Sequence, residues 1–282
     1  MESTADLVQL LSTSKVVGVR PVSPRSLSLK IALESGDRAA FKPLRKSNRS
    51  ARWEVAFDLL APLVSAGRTP RAALRRVPLA QLLALLEPSY PELATSLRAE
   101  ALVDGKGYVG GAAIEWIEDL SPTRFEGEKG KALLEAWLSP NGKTADSEHL
   151  AEAASRMIVA DYVLGNWDRF SGGNLFEDAA GRALWLIDNN GAFAAWSDRQ
   201  RDRMEGQLAS CARFSKSQVE HLRGLTEGSV RAALREEEAK EIVPHLLEDA
   251  EITTLLARRD AVLARVDALV EERGASQVIV FP

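Results

Sequence analysis

Residues 161–193, DYVLGNWDRFSGGNLFEDAAGRALWLIDNNGAF, decide the reading of this 282-residue chain. Before them Leu150, Ala153, Ala154, Met157 and Ile158 recur at i, i+3, i+4, i+7 and i+8, the period of an amphipathic helix. That helix should stop at Gly165, a residue free to take the left-handed cap conformation. Leu175-Phe176 and residues 183–187 read as two short strands around 178–181 (DAAG), a turn with Asp early and Gly late. The chain should therefore double back and bring Asn174 and Asp188 to one end of a hairpin, with Asp168 on the loop before it.

Two oxygen-bearing side chains at one hairpin end can share a hard divalent cation, and a carboxylate on the neighbouring loop can orient a hydroxyl. A phosphoryl group in transfer needs both, because its transition state is loose and highly charged. Asp188 and Asn174 are thus candidate metal ligands, and Asp168 is the candidate catalytic residue. The competing reading makes all three turn residues, since Asp and Asn beside Gly are common wherever a chain reverses. For any one of them alone that reading is the better one. The set, in the order helix, loop, hairpin, loop, favours phosphotransfer.

The pairing of GNWDRFSGGN with LIDNNGAF resembles the catalytic and metal-binding loops of the Golgi casein kinase (four-jointed) family and, more distantly, those of HipA-type and phosphatidylinositol kinase-like proteins. Upstream, FKPLRKSNRSARWEVAF resembles the same family's Lys strand and the Glu helix that follows it. The resemblance covers about residues 39–193. It implies an α+β, bilobal protein-kinase-like fold with a small N-terminal antiparallel sheet lobe and a mainly helical C-terminal lobe. It also implies ATP with Mg or Mn as cofactors. In the family's scheme Lys42 contacts the α- and β-phosphates and is held by Glu54. Backbone groups of Glu115, Trp116 and Ile117 form the hinge against the adenine edge, so that all five are candidate nucleotide-binding residues.

The sequence departs from the family in three places. RPVSPRS, between the first two expected strands, has no glycine where a Gly-rich phosphate loop would stand, which leaves Ser23, Arg25 or Ser26 to cradle phosphate, or nothing. The second metal ligand, usually five positions after the catalytic Asp, is six away at Asn174, an offset that Gly172 and Gly173 could absorb. Phe170 replaces the usual histidine of that loop. Arg169 is read as a brace for the loop rather than a substrate contact.

With 45% hydrophobic and 27% charged residues the chain can bury a sizeable core, and two lobes of one domain are expected. The division is residues 1–117, with a helical insertion at about 62–98, and residues 118–282. A net charge of −4 gives no electrostatic footprint for nucleic acid. No apolar run approaches the length of a transmembrane segment. One cysteine, Cys211, permits no intrachain disulfide. The start, MESTADLVQLLSTSKVVGV, has no basic region followed by a long apolar core, so a cytoplasmic location is expected, unlike the family's exported members. His149, His221 and His245 have no partners at zinc-ligand spacing.

Along the chain, residues 16–42 read as strands and 61–98 as short helices. Residues 99–103 and 108–117 read as a hairpin about a 104–107 turn. Residues 121–147 are mixed, with a 139–143 loop, and 194–204 form a polar connection in which Trp196 is a packing residue. Three helices follow, REEEAKE reads as a solvated face, and SQVIVFP as a short docking strand. The partners implied are a nucleotide and a hydroxyl-bearing acceptor: protein, sugar or lipid headgroup. The alternatives are a pseudokinase acting as a nucleotide-responsive binding module and, third, transfer of a nucleotidyl group.

Overall fold

Alternating apolar residues set the N-terminal sheet. In the computed structural model, which describes residues 4–23, 26–142, 144 and 147–282, helix α1 (Thr4–Thr13) leads into β1 (Val16–Pro21), β2 (Leu29–Leu33) and β3 (Arg38–Pro43). Helix α2 (Ala51–Leu60), β4 (Ala72–Pro78), α3 (Leu79–Leu86), α4 (Pro91–Glu100) and β5 (Tyr108–Glu115) follow. Arg25, a candidate phosphate contact, and Lys143 of the expected loop lie outside the described residues. The five strands form one antiparallel sheet in the order β1-β2-β3-β5-β4. On one face Leu29, Ile31, Leu33, Phe41 and Ala113 join Leu11 of α1, Leu82 and Leu86 of α3 and Leu97 of α4 in a continuous core. Successive strand residues point to opposite faces, and Lys30 pairs with Ala40, so Lys30 and Lys42 share the other face.

The chain divides into two compact units. Met1–Asp58, Pro70–Glu118 and Leu234–Leu246 form the first; Leu59–Thr69, Asp119–Ala233 and Leu247–Pro282 form the second.

Three local expectations are corrected within the first unit. Residues 72–78, read as part of a helical run, are strand β4. Ala, Leu and Arg favour helix locally, but pairing with β5 from Ala72↔Ile114 to Pro78↔Tyr108 overrides that preference. Two buried carboxylates complete this edge: Asp58 accepts the N–H of Ala72 at 2.9 Å, and Glu237 accepts that of Leu74 at 2.8 Å. Glu237 is therefore not part of a solvated face, and it also takes an ammonium hydrogen bond from Lys240 at 2.5 Å. The expected first hairpin strand at 99–103 is reduced to two isolated bridges, Arg45↔Ala101 and Val103↔Val109, because β5 spends its edges on β3 and β4.

The second unit contains β6 (Leu120–Pro122), α5 (Gly127–Leu138), α6 (Glu148–Leu164), β7 (Leu175–Asp178), β8 (Leu184–Leu186), α7 (Asp198–Ser210), β9 (Phe214–Ser215), α8 (Lys216–Gly224) and α10 (Asp249–Arg273), together with the first part of α9 (Glu227–Glu238), whose residues from Leu234 on belong to the first unit. Its C-terminal part is mostly helical. From Met157 to Leu164 every residue of α6 is buried, so this helix is a central element rather than an amphipathic surface one. Strands β6, β7 and β8 make a small antiparallel sheet, closed by the Asp178–Gly181 turn, where Gly181 has φ +63° and Asp178 takes the Arg182 N–H at 2.7 Å. The C-terminal Ile279–Phe281 strand pairs with β9 and buries Phe281. Among the described residues no helix is long and apolar enough to cross a membrane.

Glu177 of β7 is buried and receives the backbone N–H of Arg124 at 2.8 Å and its guanidinium at 2.8 to 3.2 Å. Burial pushes this carboxyl up, but the Arg124 and Thr123 hydrogen bonds outweigh it and hold the group below the usual glutamate range. A depressed folded-state value stabilises the fold above the unfolded value and is lost as pH falls through the folded one. Glu177→Gln should therefore cost about 1–3 kcal/mol at about pH 7. The difference from the parent should shrink as pH falls below about 4, read by urea denaturation at both pH values.

Candidate active site

The last turn of α6 delivers both a buried carboxylate and a chain reversal. Asp161 is 3% exposed, and its carbonyl accepts the N–H groups of Gly165 and Asn166. Gly165, at φ +79°, is the left-handed cap that turns the chain out of the helix. Arg169, 1% exposed, then folds back onto that turn. Its Nε and Nη2 donate to the two Asp161 oxygens, each at 2.9 Å. Nη1 donates to the carbonyls of Asn174 at 2.7 Å and Ile187 at 2.9 Å, and Nη2 also reaches Asn189 Oδ1 at 2.6 Å. All five guanidinium N–H groups are thus used, and one side chain ties α6, the start of β7 and the loop after β8 together. Burial pushes the Asp161 carboxyl up and the Arg169 fork opposes it. The two-point geometry is that of an ionised pair.

Arg169 therefore fixes where its neighbours stand. Asp168 and Asn174 are adjacent: the Asn174 amide nitrogen donates to the Asp168 carbonyl at 2.9 Å and to its carboxylate at 3.3 Å. That orients the amide and leaves Asn174 Oδ1 as the atom available to a cation. Gly172 and Gly173, at φ +98° and +81°, make the compact turn that lets residue 174 reach back across six positions. The Ile187 N–H donates to the Asn174 carbonyl at 3.1 Å, which places Asp188 at the same hairpin end as Asn174. Asp188 has φ +54°, an uncommon conformation for a residue with a Cβ. Three residues on, a Cβ at Gly191 would stand 2.9 Å from Asp168 Cβ and 3.1 Å from Asn166 Oδ1. The loop after β8, which carries Asp188, thus passes directly against Asp168 and begins beside Asn174.

In the first unit the Lys42 ammonium is 2.5 Å from Glu54 Oε1, with side chains 12% and 2% exposed. Strand β3 supplies the lysine and helix α2 the glutamate. Glu115 and Trp116 use their N–H groups on the carbonyls of Arg71, at 2.8 Å, and Arg38, at 3.1 Å. Among the described residues, Ile117 donates to no backbone carbonyl. The Lys30 ammonium lies 3.6 Å over the Trp116 ring, and burial draws its pKa down.

Asp161, Asn166 and Asn189 carry no role in the sequence reading, although all three lie at or within the decisive stretch. Asn189 takes Arg169 on Oδ1 and donates to the Leu186 carbonyl at 3.1 Å. Asn166 Oδ1 accepts the Asp168 N–H at 3.4 Å. The legible signal was an acid at the end of an apolar helix, eight residues before an arginine; a lone acid before a glycine is otherwise ordinary.

Among the described residues no three His, Cys, Asp or Glu side chains cluster as a metal site. Asp188 and Asn174 nonetheless offer oxygen atoms of the kind a hard ion such as magnesium takes, and such an ion would draw its other ligands from phosphate and water. Arg169→Lys should cost about 3–5 kcal/mol, because one ammonium cannot replace five forked donors around a buried carboxylate. Urea denaturation of the variant measures it.

No family model matches the chain, and no curated protein matches it by sequence. Solved structures do. The Golgi casein kinase with Mn and ADP bound superposes at TM-score 0.71 with 16% identity, over 98% of this chain and 78% of that one. A second Golgi casein kinase structure gives 0.71 and 16% over 97% and 78%. Hydra Fam20, solved with a sugar, gives 0.67 and 18% over 99% and 93%. Across nearly its full length, this chain carries the fold of the Golgi casein kinase and of hydra Fam20, a Fam20-like atypical kinase fold.

Proposed function

We propose that this protein is an ATP-dependent phosphotransferase that uses Mg or Mn to move the γ-phosphoryl group to a hydroxyl. The observation that carries the reading is the cluster in which Asp168, Asn174 and the Asp188 loop are locked together by Arg169. The fold shared with a kinase solved with Mn and ADP supports it.

In this scheme Lys42 donates to the α- and β-phosphate oxygens, and Glu54 holds it in place and balances its charge. Glu115, Trp116 and Ile117 line the adenine edge, where hydrogen bonding falls to backbone groups not already taken by the sheet. Asp188 and Asn174 would hold the divalent ion, which would supply charge neutralisation at the phosphate oxygens. Asp168 accepts the hydrogen bond of the acceptor hydroxyl and takes its proton as the new O–P bond forms and the bond to the β-phosphate oxygen breaks, releasing ADP. With no Gly-rich loop between β1 and β2, Lys42 is the chain's own chief carrier of phosphate charge in this scheme. The acceptor is a protein, sugar or lipid-headgroup hydroxyl, since all three need the same core residues.

Asp168→Ala should abolish transfer of label from γ-labelled ATP, a loss of about a hundredfold or more, while calorimetry finds nucleotide binding retained. Turnover unchanged in that variant removes the assignment of the base. Chelation of divalent ions should abolish transfer, and Asp188→Ala should remove the metal-dependent part of nucleotide binding. Wild-type protein that binds ATP and metal but transfers nothing would instead be a nucleotide-responsive pseudokinase. Label from the α-phosphate in the product would mean nucleotidyl transfer.

A further inference from the structure

We infer that Arg258 of α10 is a positioning residue that holds the Asp168 loop and the Asp188 loop in register from behind. Its place in phosphotransfer rests on the function proposed above.

Both loops leave and return at the C-terminal end of α6. The Asp168 loop begins at Gly165. The Asp188 loop ends at Phe193, whose N–H donates to the Leu164 carbonyl at 2.8 Å and whose φ is +59°. Beyond it, Trp196 donates its indole N–H to the Gly165 carbonyl at 3.0 Å, so the segment after one loop is bonded to the first residue of the other. Trp196 is thus more than the packing residue its sequence context suggests.

Arg258 closes this junction. Its guanidinium lies 3.7 Å from the Trp196 ring centroid, and Nη2 donates to the Ala194 carbonyl at 3.2 Å. A Cβ on Gly165 would approach Nη1 to 1.9 Å, so the guanidinium packs on Gly165 where only a hydrogen can stand. Glycine is required there for space as well as for its φ of +79°. Tyr162, one turn back on α6, meets the Trp196 ring edge-on at 5.4 Å.

Arg258 is 8% exposed and forms no ion pair among the described residues. Burial pushes its pKa down to about 10. A buried arginine without a carboxylate is a poor device for stability, since a well-packed apolar residue of similar length commonly serves as well or better. What the guanidinium adds is geometry: a flat cation that stacks on a ring and bonds a carbonyl of the segment after Phe193 while packing on the cap glycine of α6.

Stability and positioning separate in Arg258→Met, which keeps the stem and removes the fork. The expected result is an unchanged melting temperature. Backbone amides of residues 165–174 and 188–196 should exchange with deuterium about tenfold faster or more, while the rest of the protein exchanges as before. Kinetically, kcat should fall about 10- to 100-fold, with the Kd for Mn–ATP changed less than about threefold, as for a displaced reacting geometry. Unchanged exchange in both loops overturns the proposal, as does accelerated exchange spread evenly over the whole chain. If Arg258→Met does not fold, Trp196→Phe decides: it keeps the ring and loses the bond to Gly165, and it too should speed exchange in both loops. Hydrogen exchange needs no turnover, so wild-type protein lacking transfer would remove the phosphotransfer reading while the loop measurement still decides the role of Arg258.

Discussion

The paired bond between Asp161 and Arg169 is the constraint on which the candidate site depends. Both partners are buried, and separately each would be a buried charge with a large desolvation penalty. Together they satisfy one another at two points, and the three remaining guanidinium N–H groups go to Asn174, Ile187 and Asn189. Each of these belongs to a segment carrying, or adjoining, Asp168, Asn174 or Asp188. A single side chain thus ties three turns to one another. Chemistry that consists mainly of positioning and charge neutralisation needs such a tie.

Close approach of backbone is the second requirement. Gly191 passes Asp168 with no room for a methyl group, and Gly172 and Gly173 take left-handed conformations to bring Asn174 back to Asp168. Asp188 and Phe193 hold positive φ without being glycine, so some backbone strain is stored at both ends of their loop and opposed by the bonds around them. In the first unit a different economy operates. One face of the sheet is mainly apolar and packs on α1, α3 and α4, with the buried Arg75 spending its guanidinium on the Leu11 and Ser14 carbonyls, while the other carries lysines that are met by Glu54 and by the Trp116 ring. The edge strand β4 is secured by carboxylates from distant sequence, Asp58 and Glu237, which fill its outward N–H groups.

Local pattern was enough for the parts of this protein whose partners are near in sequence. The period of residues 150–158, the Gly165 stop, the DAAG turn and the alternation through β1, β2 and β3 each follow from side-chain spacing and glycine's conformational freedom, and each is found. The placing of Asn174 beside Ile187, the residue before Asp188, follows from the same logic, because a tight hairpin brings its two ends together. Lys42 beside Glu54 also needed only a strand, a short turn and a helix.

Where partners are distant, residue type was silent or misleading. Residues 72–78 favour a helix until β5 offers a full ladder of hydrogen bonds; Glu237 sits in an acidic run that looks solvated until Leu74 presents an unpaired N–H. Asp161 is an ordinary helix-end acid until Arg169 returns across eight residues. Trp196 becomes a bonded partner of Gly165 only once the loop after β8 has closed. Sequence alone determined which side chains carry the chemistry a metal or phosphate would need and which local turns would present them, because those depend on residue type and short-range geometry. Tertiary structure alone decided what holds them in place, because a buried charge or an edge N–H takes its meaning from the group that folding brings to it.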